Sequence, residues 1–163
     1  MFQLFLIAKL VHLVGLIIWI GPSLGGFWML LQAEKSGDER LEVWVRRRFE
    51  TLVNVEHLGL LLLLAGGIGM TYATEWAPFK LEWFQWKLGI VVGIILPLEV
   101  ADVAMVNFVL GRALREIPES GGYSTRYLVG VRSYKRFVMA SVVILAVALP
   151  SIFWLAVWKP GLP

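Results

Sequence analysis

The chain has 163 residues, of which 58% are hydrophobic, and its formal net charge at pH 7 is +3. This length is typical of one domain, and the hydrophobic content exceeds the range of ordinary soluble proteins. The chain contains no cysteine, which excludes disulfides, iron–sulfur clusters and thiolate metal ligands. The basic residues flank apolar stretches, a pattern that indicates membrane topology and argues against nucleic-acid binding.

Four apolar stretches reach the roughly 20 residues that a membrane-spanning helix requires. We therefore predict an all-α, integral membrane four-helix bundle that forms a single domain over residues 1–163, with helices at about 2–34, 38–72, 84–112 and 128–158. The first stretch is about twice as long as the apolar part of a signal peptide and has no small-residue cleavage pattern, so we interpret it as a retained helix.

The charge pattern predicts the orientation of this bundle. The connections between helices one and two and between helices three and four hold most of the basic residues, including Arg46, Arg47, Arg48, Arg132, Lys135 and Arg136. The opposite connection instead carries the aromatic residues Trp76, Phe79 and Trp83. The positive-inside rule then predicts that both chain ends lie on the non-cytoplasmic side of a membrane, which the short loops indicate to be a bacterial inner membrane.

The first connection has the composition of a tight helical hairpin. Ser36 and Gly37 predict a turn, and Asp38 is a good N-cap for the next helix, although a flexible loop is the alternative. With a tight turn here, residues whose numbers sum to about 73 lie side by side, which places His12 level with Leu61.

Several ionisable residues lie inside the apolar stretches, where a functional role is the default hypothesis. Counting inward from the connections places Glu99 at nearly the depth of His57, with Asp102 one turn further along the same face. We therefore predict that an acidic group meets a histidine inside the bundle and that Pro97 kinks the third helix beside it. Together with Glu56, these acids are expected to form a proton path. The alternative is that the carboxylates reach arginines at the cytoplasmic end of the helix.

The two histidines of the chain, His12 and His57, both fall inside predicted helices. Imidazole is a frequent axial ligand of haem iron, and a porphyrin between two antiparallel helices could take one histidine from each. Gly15 and Trp19 share a helix face with His12 and would form a wall for a large ring. The alternative is that the histidines bond to carbonyl groups and that the glycine serves helix packing.

Two motifs resemble a known family. Lys9-Leu-Val-His12-Leu-Val-Gly15-Leu-Ile-Ile-Trp19 is similar to the first-helix pattern of HemJ, a family of bacterial membrane proteins that oxidise protoporphyrinogen IX and bind haem b. Trp83-Phe-Gln-Trp-Lys87-Leu resembles the third-helix motif of that family. The likeness covers all four helices loosely, and the copper-resistance CopD family shares the general appearance.

The resemblance implies that His12 is a haem ligand and that Lys87 approaches a porphyrin carboxylate. The sequence also departs from the HemJ pattern, because Leu98 and Glu99 stand where that family has a histidine and because His57 has no counterpart there.

Our leading prediction is a haem b-binding membrane protein with His12 and His57 as iron ligands, acting in electron transfer or porphyrin redox chemistry. One alternative is a HemJ-type oxidase with Lys87 and Glu99 as catalytic residues. A second is an accessory subunit without its own cofactor. The predicted partners are the lipid bilayer and either further copies of the chain or a larger membrane complex.

Overall fold

The computed structural model describes residues 1–115 and 124–160, which form four long helices. Helix α1 spans Phe2–Ser36, α2 spans Glu39–Ala73, α3 spans Glu82–Arg115 and α4 spans Thr125–Trp158. A 3₁₀ turn, Ala77–Lys80, lies between α2 and α3. Each of the four helices is long and apolar enough to cross a membrane, which confirms the predicted all-α membrane fold.

The turn between α1 and α2 is tight. Gly37 adopts a left-handed conformation with φ of 69°, which glycine enters without steric cost. The Asp38 side chain accepts hydrogen bonds from the backbone nitrogens of Arg40 and Leu41 at 2.9 and 3.2 Å. The predicted turn and N-cap are therefore confirmed.

Glycines let α1 and α2 approach until their backbones touch. A Cβ on Gly66 would lie 2.4 Å from the backbone nitrogen of His12, and one on Gly15 would lie 2.3 Å from that of Leu63. Small residues commonly permit such contacts in membranes, where van der Waals packing drives helix association. These pairs have numbers that sum to 78, so His12 is level with Gly66 and the predicted pairing with Leu61 is wrong.

Helix α3 contains two π-helical turns, at Val91–Ile95 and at Met105–Leu110. The first ends just before Pro97, the residue predicted to kink this helix. A widened turn accommodates a proline ring, whose missing N–H already interrupts the regular ladder. The two turns bracket the segment that carries Glu99 and Asp102, so they set the direction in which both carboxylates project.

We call the end of the bundle that holds Gly37 and Ser124 the basic end, and the opposite end, with Trp76, the aromatic end. At the basic end the Arg46 side chain is only 3% exposed and contacts Glu34 at 2.7 Å and Glu42 at 3.0 Å.

Lys135 of α4 contacts the other oxygen of Glu34 at 2.6 Å. This network joins α1, α2 and α4. It stabilises the basic end because each buried charge has a partner.

Two apolar clusters hold the helices together. The cluster nearer the basic end includes Val53, Val106, Leu110, Leu114 and Tyr127. The second cluster, further toward the aromatic end, consists of Trp19, Leu60, Leu63, Ile95 and Ala148. The side chains of His57, Glu99 and Asp102, described below, lie between these two clusters.

Candidate functional site

The polar residues of the bundle interior meet halfway along the helices. Trp19, Glu56 and Glu99 lie at the midpoints of α1, α2 and α3. A charged side chain at such a depth is costly to bury and therefore marks a candidate site.

His57 lies between two carboxylates of α3. Its Nε2 is 3.5 Å from Glu99 Oε2 and 3.5 Å from Asp102 Oδ2, and all three side chains are mostly buried. The predicted meeting of an acidic group and a histidine inside the bundle is confirmed.

Each carboxylate also accepts a hydrogen bond from a further helix. Trp19 Nε1 of α1 donates to Glu99 Oε1 at 3.0 Å, and the Tyr134 hydroxyl of α4 donates to Asp102 Oδ1 at 3.3 Å. We call His57, Glu99, Asp102, Trp19 and Tyr134 the central polar cluster. All four helices contribute to it, so its geometry depends on the assembled bundle.

Tyr134 was not predicted from the sequence to belong to this site. A signal was present, because Tyr127, Gly130 and Tyr134 recur at intervals of three and four residues on α4 and all three are buried. Trp19 was expected to form part of a wall for haem, whereas its indole N–H donates to Glu99.

A cavity of about 480 Å³ lies beside the central polar cluster. One wall carries polar groups of Glu56, Glu99, Asp102 and Tyr134. The facing wall is mainly apolar and comes from α4, with Phe137, Val138, Val142, Leu145, Ala146 and Leu149 among its residues. Both the volume and the combination of an apolar lining with a few convergent polar groups are typical of small-molecule sites.

His12 lies in a different environment, nearer the aromatic end. Its Nδ1 is 2.7 Å from the carbonyl oxygen of Leu63. Because a carbonyl oxygen only accepts, Nδ1 carries the proton and a neutral ring keeps its lone pair on Nε2. A second-shell bond of this kind orients histidines that ligate metals, so His12 has the donor chemistry of an axial haem ligand.

The positive charge of Lys87 on α3 lies within electrostatic reach of His12. The Lys87 side chain is half-buried. Among the described residues, no carboxylate forms a salt bridge with it. A cation inside a membrane helix normally has an anionic partner. This part of the bundle therefore fits a ligand that carries a carboxylate.

The structure does not bring His12 and His57 together. His12 is level with Gly66, which is nine residues from His57 along α2, or about 13 Å at 1.5 Å per residue. Side chains also lean toward the N-terminus of their own helix, so the two rings point toward opposite ends of the bundle. Metal–imidazole bonds are only about 2 Å long, so the two histidines as placed do not fit one iron between them.

The remaining predicted site residues are placed as follows. Gly15 lies in the contact between α1 and α2. Lys87 and Glu99 are twelve residues apart on α3, or about 18 Å, so Lys87 lies toward the aromatic end and Glu99 lies halfway along the helix. Within residues 1–115 and 124–160, no group of three or more His, Asp or Glu side chains is arranged to hold a metal ion.

These features define a class, a helical membrane protein that crosses the bilayer several times and has ionisable groups in its interior. Residues 6–160 match the model of the family described as predicted integral membrane protein, DUF2269, and the chain belongs to that family. No curated protein and no solved structure matches the chain.

Proposed function

We propose that the protein binds haem b through His12 and acts in electron transfer or porphyrin redox chemistry in a bacterial inner membrane, with its basic end in the cytoplasm. The observation that carries the proposal is the hydrogen bond from His12 Nδ1 to the Leu63 carbonyl oxygen. It holds the imidazole in the tautomer and orientation that leave Nε2 available to a metal.

Lys87 supports the same proposal independently. Its half-buried amino group lies near His12. A haem propionate there would supply the anionic partner, through a charge-assisted hydrogen bond. His12 would ligate the haem iron and Lys87 would bind a propionate, whereas His57 belongs to the central polar cluster.

Oxidation of protoporphyrinogen IX by a HemJ-type reaction is the second candidate, favoured by the motif around Lys9, His12 and Trp19. The distance of about 18 Å between Lys87 and Glu99 argues against these two residues acting on one porphyrin edge. Expression in a strain that lacks its own protoporphyrinogen oxidase tests this candidate. Restored growth supports the reaction, and unchanged growth at verified expression argues against it.

The experiment for haem binding is a reduced-minus-oxidised visible spectrum of the detergent-purified protein, expressed with ample haem. We expect a b-type spectrum in the parent and its loss in His12→Ala. Lys9→Ala, which removes an exposed cation one turn away, is the matched control and retains the spectrum. Lys87→Gln retains the bands but releases haem faster.

A parent protein without haem bands would overturn the proposal. It would favour an accessory subunit of a larger membrane complex, in which His12 only bonds to the Leu63 carbonyl. Such a subunit would copurify with larger partners and would assemble normally after His12→Ala.

A further inference from the structure

The cavity beside the central polar cluster is open on one side of the bundle. It is lined by Trp19 and Phe27 of α1 and by a long face of α4. Among the described residues, α1 packs along α2, and its backbone makes few close approaches to α4, which it contacts at the basic end through Glu34 and Lys135. Val142, which lines the cavity, is 47% exposed. The cavity therefore opens between α1 and α4, where membrane lipid surrounds the protein.

The two walls of the cavity differ in chemistry. The wall formed by α2 and α3 presents oxygens of Glu56, Glu99 and Asp102, which accept hydrogen bonds. The facing wall on α4 is mostly apolar from Phe137 to Leu149, and the hydroxyl of Ser141 within it donates to the Phe137 carbonyl oxygen. An occupant that satisfies both walls has a head that donates hydrogen bonds and an extended apolar body.

The lateral opening restricts the occupant further. A ligand that enters from the hydrocarbon region is lipid-soluble and uncharged, because an ion is strongly disfavoured there. A quinol fits these conditions, since its ring bears two neutral hydroxyl groups and its isoprenoid chain is apolar. A carboxylate oxygen can accept more than one hydrogen bond, so the polar wall can take further donors from a ligand. A lipid acyl chain would make no use of the polar wall, and an inorganic cation would make no use of the apolar wall.

We propose that this cavity binds a membrane quinol, with the ring hydroxyls donating to Glu99 and to Asp102 or Glu56 and the isoprenoid chain lying along α4. The site is separate from the proposed haem ligand, because Trp19 and Glu99 lie further from the aromatic end than His12 does. Quinol binding therefore stands or fails independently of haem binding at His12.

The test measures saturable labelling of the protein in lipid nanodiscs. A quinol that carries a photoreactive diazirine on its side chain is added without oxygen, the sample is illuminated, and labelled peptides are located by mass spectrometry with and without an excess of decylubiquinol. We expect labels on α4 between Phe137 and Pro150 that decylubiquinol displaces.

Two alanines of α4 provide matched variants. Ala146 lines the cavity, whereas Ala140 is also exposed but does not line it. We expect Ala146→Phe to weaken displacement by decylubiquinol at least about tenfold, because the new ring occupies the space of the ligand. Ala140→Phe leaves displacement unchanged, and the yield and elution volume of both variants check that they fold.

Three results would overturn the proposal. The first is labelling that excess decylubiquinol does not displace, which is simple partitioning into lipid. The second is equal displacement in the two variants. The third is that dodecylamine displaces the label at a lower concentration than decylubiquinol does, and that Glu99→Gln abolishes this displacement by dodecylamine. That result would assign the cavity to an organic cation.

Discussion

The contact between α1 and α2 predicts a large effect from the smallest possible substitution, Gly66→Ala. The added Cβ would lie 2.4 Å from the His12 backbone nitrogen and 2.7 Å from the Ala8 carbonyl oxygen, whereas ordinary contact begins at 3.4 Å. Backbone atoms cannot rotate away, so α1 must retreat from α2 by about 1 Å along this segment.

We expect this displacement to cost about 1–3 kcal/mol, as overpacking does elsewhere. Gly21→Ala is the matched control, because nothing lies within 4 Å of a Cβ at that position. Alanine gains up to about 1 kcal/mol of helix propensity at either position, so the two variants should differ by the overpacking cost of about 1–3 kcal/mol.

The assay is unfolding by sodium dodecyl sulfate in mixed micelles, followed by circular dichroism. The midpoint for Gly66→Ala should fall below that of the parent, and the midpoint for Gly21→Ala should equal or exceed it. Equal midpoints for the two variants would refute the close approach of α1 and α2, and with it the placement of His12 against Gly66.

Three further predictions concern the polar contacts. Arg46→Met should destabilise the bundle by about 1–3 kcal/mol because it removes the charged hydrogen bonds to Glu34 and Glu42, whereas Lys135→Met, at a side chain 47% exposed, should cost less than about 1 kcal/mol; SDS titration compares them. Asp38→Ala removes the α2 N-cap and should cost about 1 kcal/mol by the same titration. Trp19→Phe leaves Glu99 without its indole donor and should cost about 1–3 kcal/mol, and an unchanged midpoint would refute that hydrogen bond.

The number of helices and the first turn were predictable because they depend on local signals. Apolar length reveals a membrane helix, and Ser36, Gly37 and Asp38 carry the conformational preferences of a turn and a cap. The meeting of His57 with Glu99 was also predictable. Counting inward from the opposite connections fixes depth to within about one helical turn.

The register of α1 against α2 was not predictable in this way. The turn position alone pairs His12 with Leu61, whereas the glycine contacts shift the pairing by five residues to Gly66. Axial offset depends on how two surfaces interlock, which the position of the turn does not encode. The error mattered, because it placed His12 and His57 close enough to share one iron.

The rotation of α4 was equally hidden. In a membrane, lipid-facing and interior faces are both apolar, so hydropathy carries little information about which face is buried. Tyr134 therefore did not stand out, although it bonds to Asp102. The cavity could not be predicted either, since it depends on the spacing between the backbones of α1 and α4 beside the central polar cluster.

We propose that His12 ligates haem, whereas His57 belongs to the separate central polar cluster. The most direct measurement is the haem content and reduced spectrum of His57→Ala beside His12→Ala, each purified with ample haem. We expect His57→Ala to keep the haem spectrum of the parent protein and His12→Ala to lose it. Loss of the spectrum in both variants would show a bis-histidine haem and would contradict the separation of the two residues.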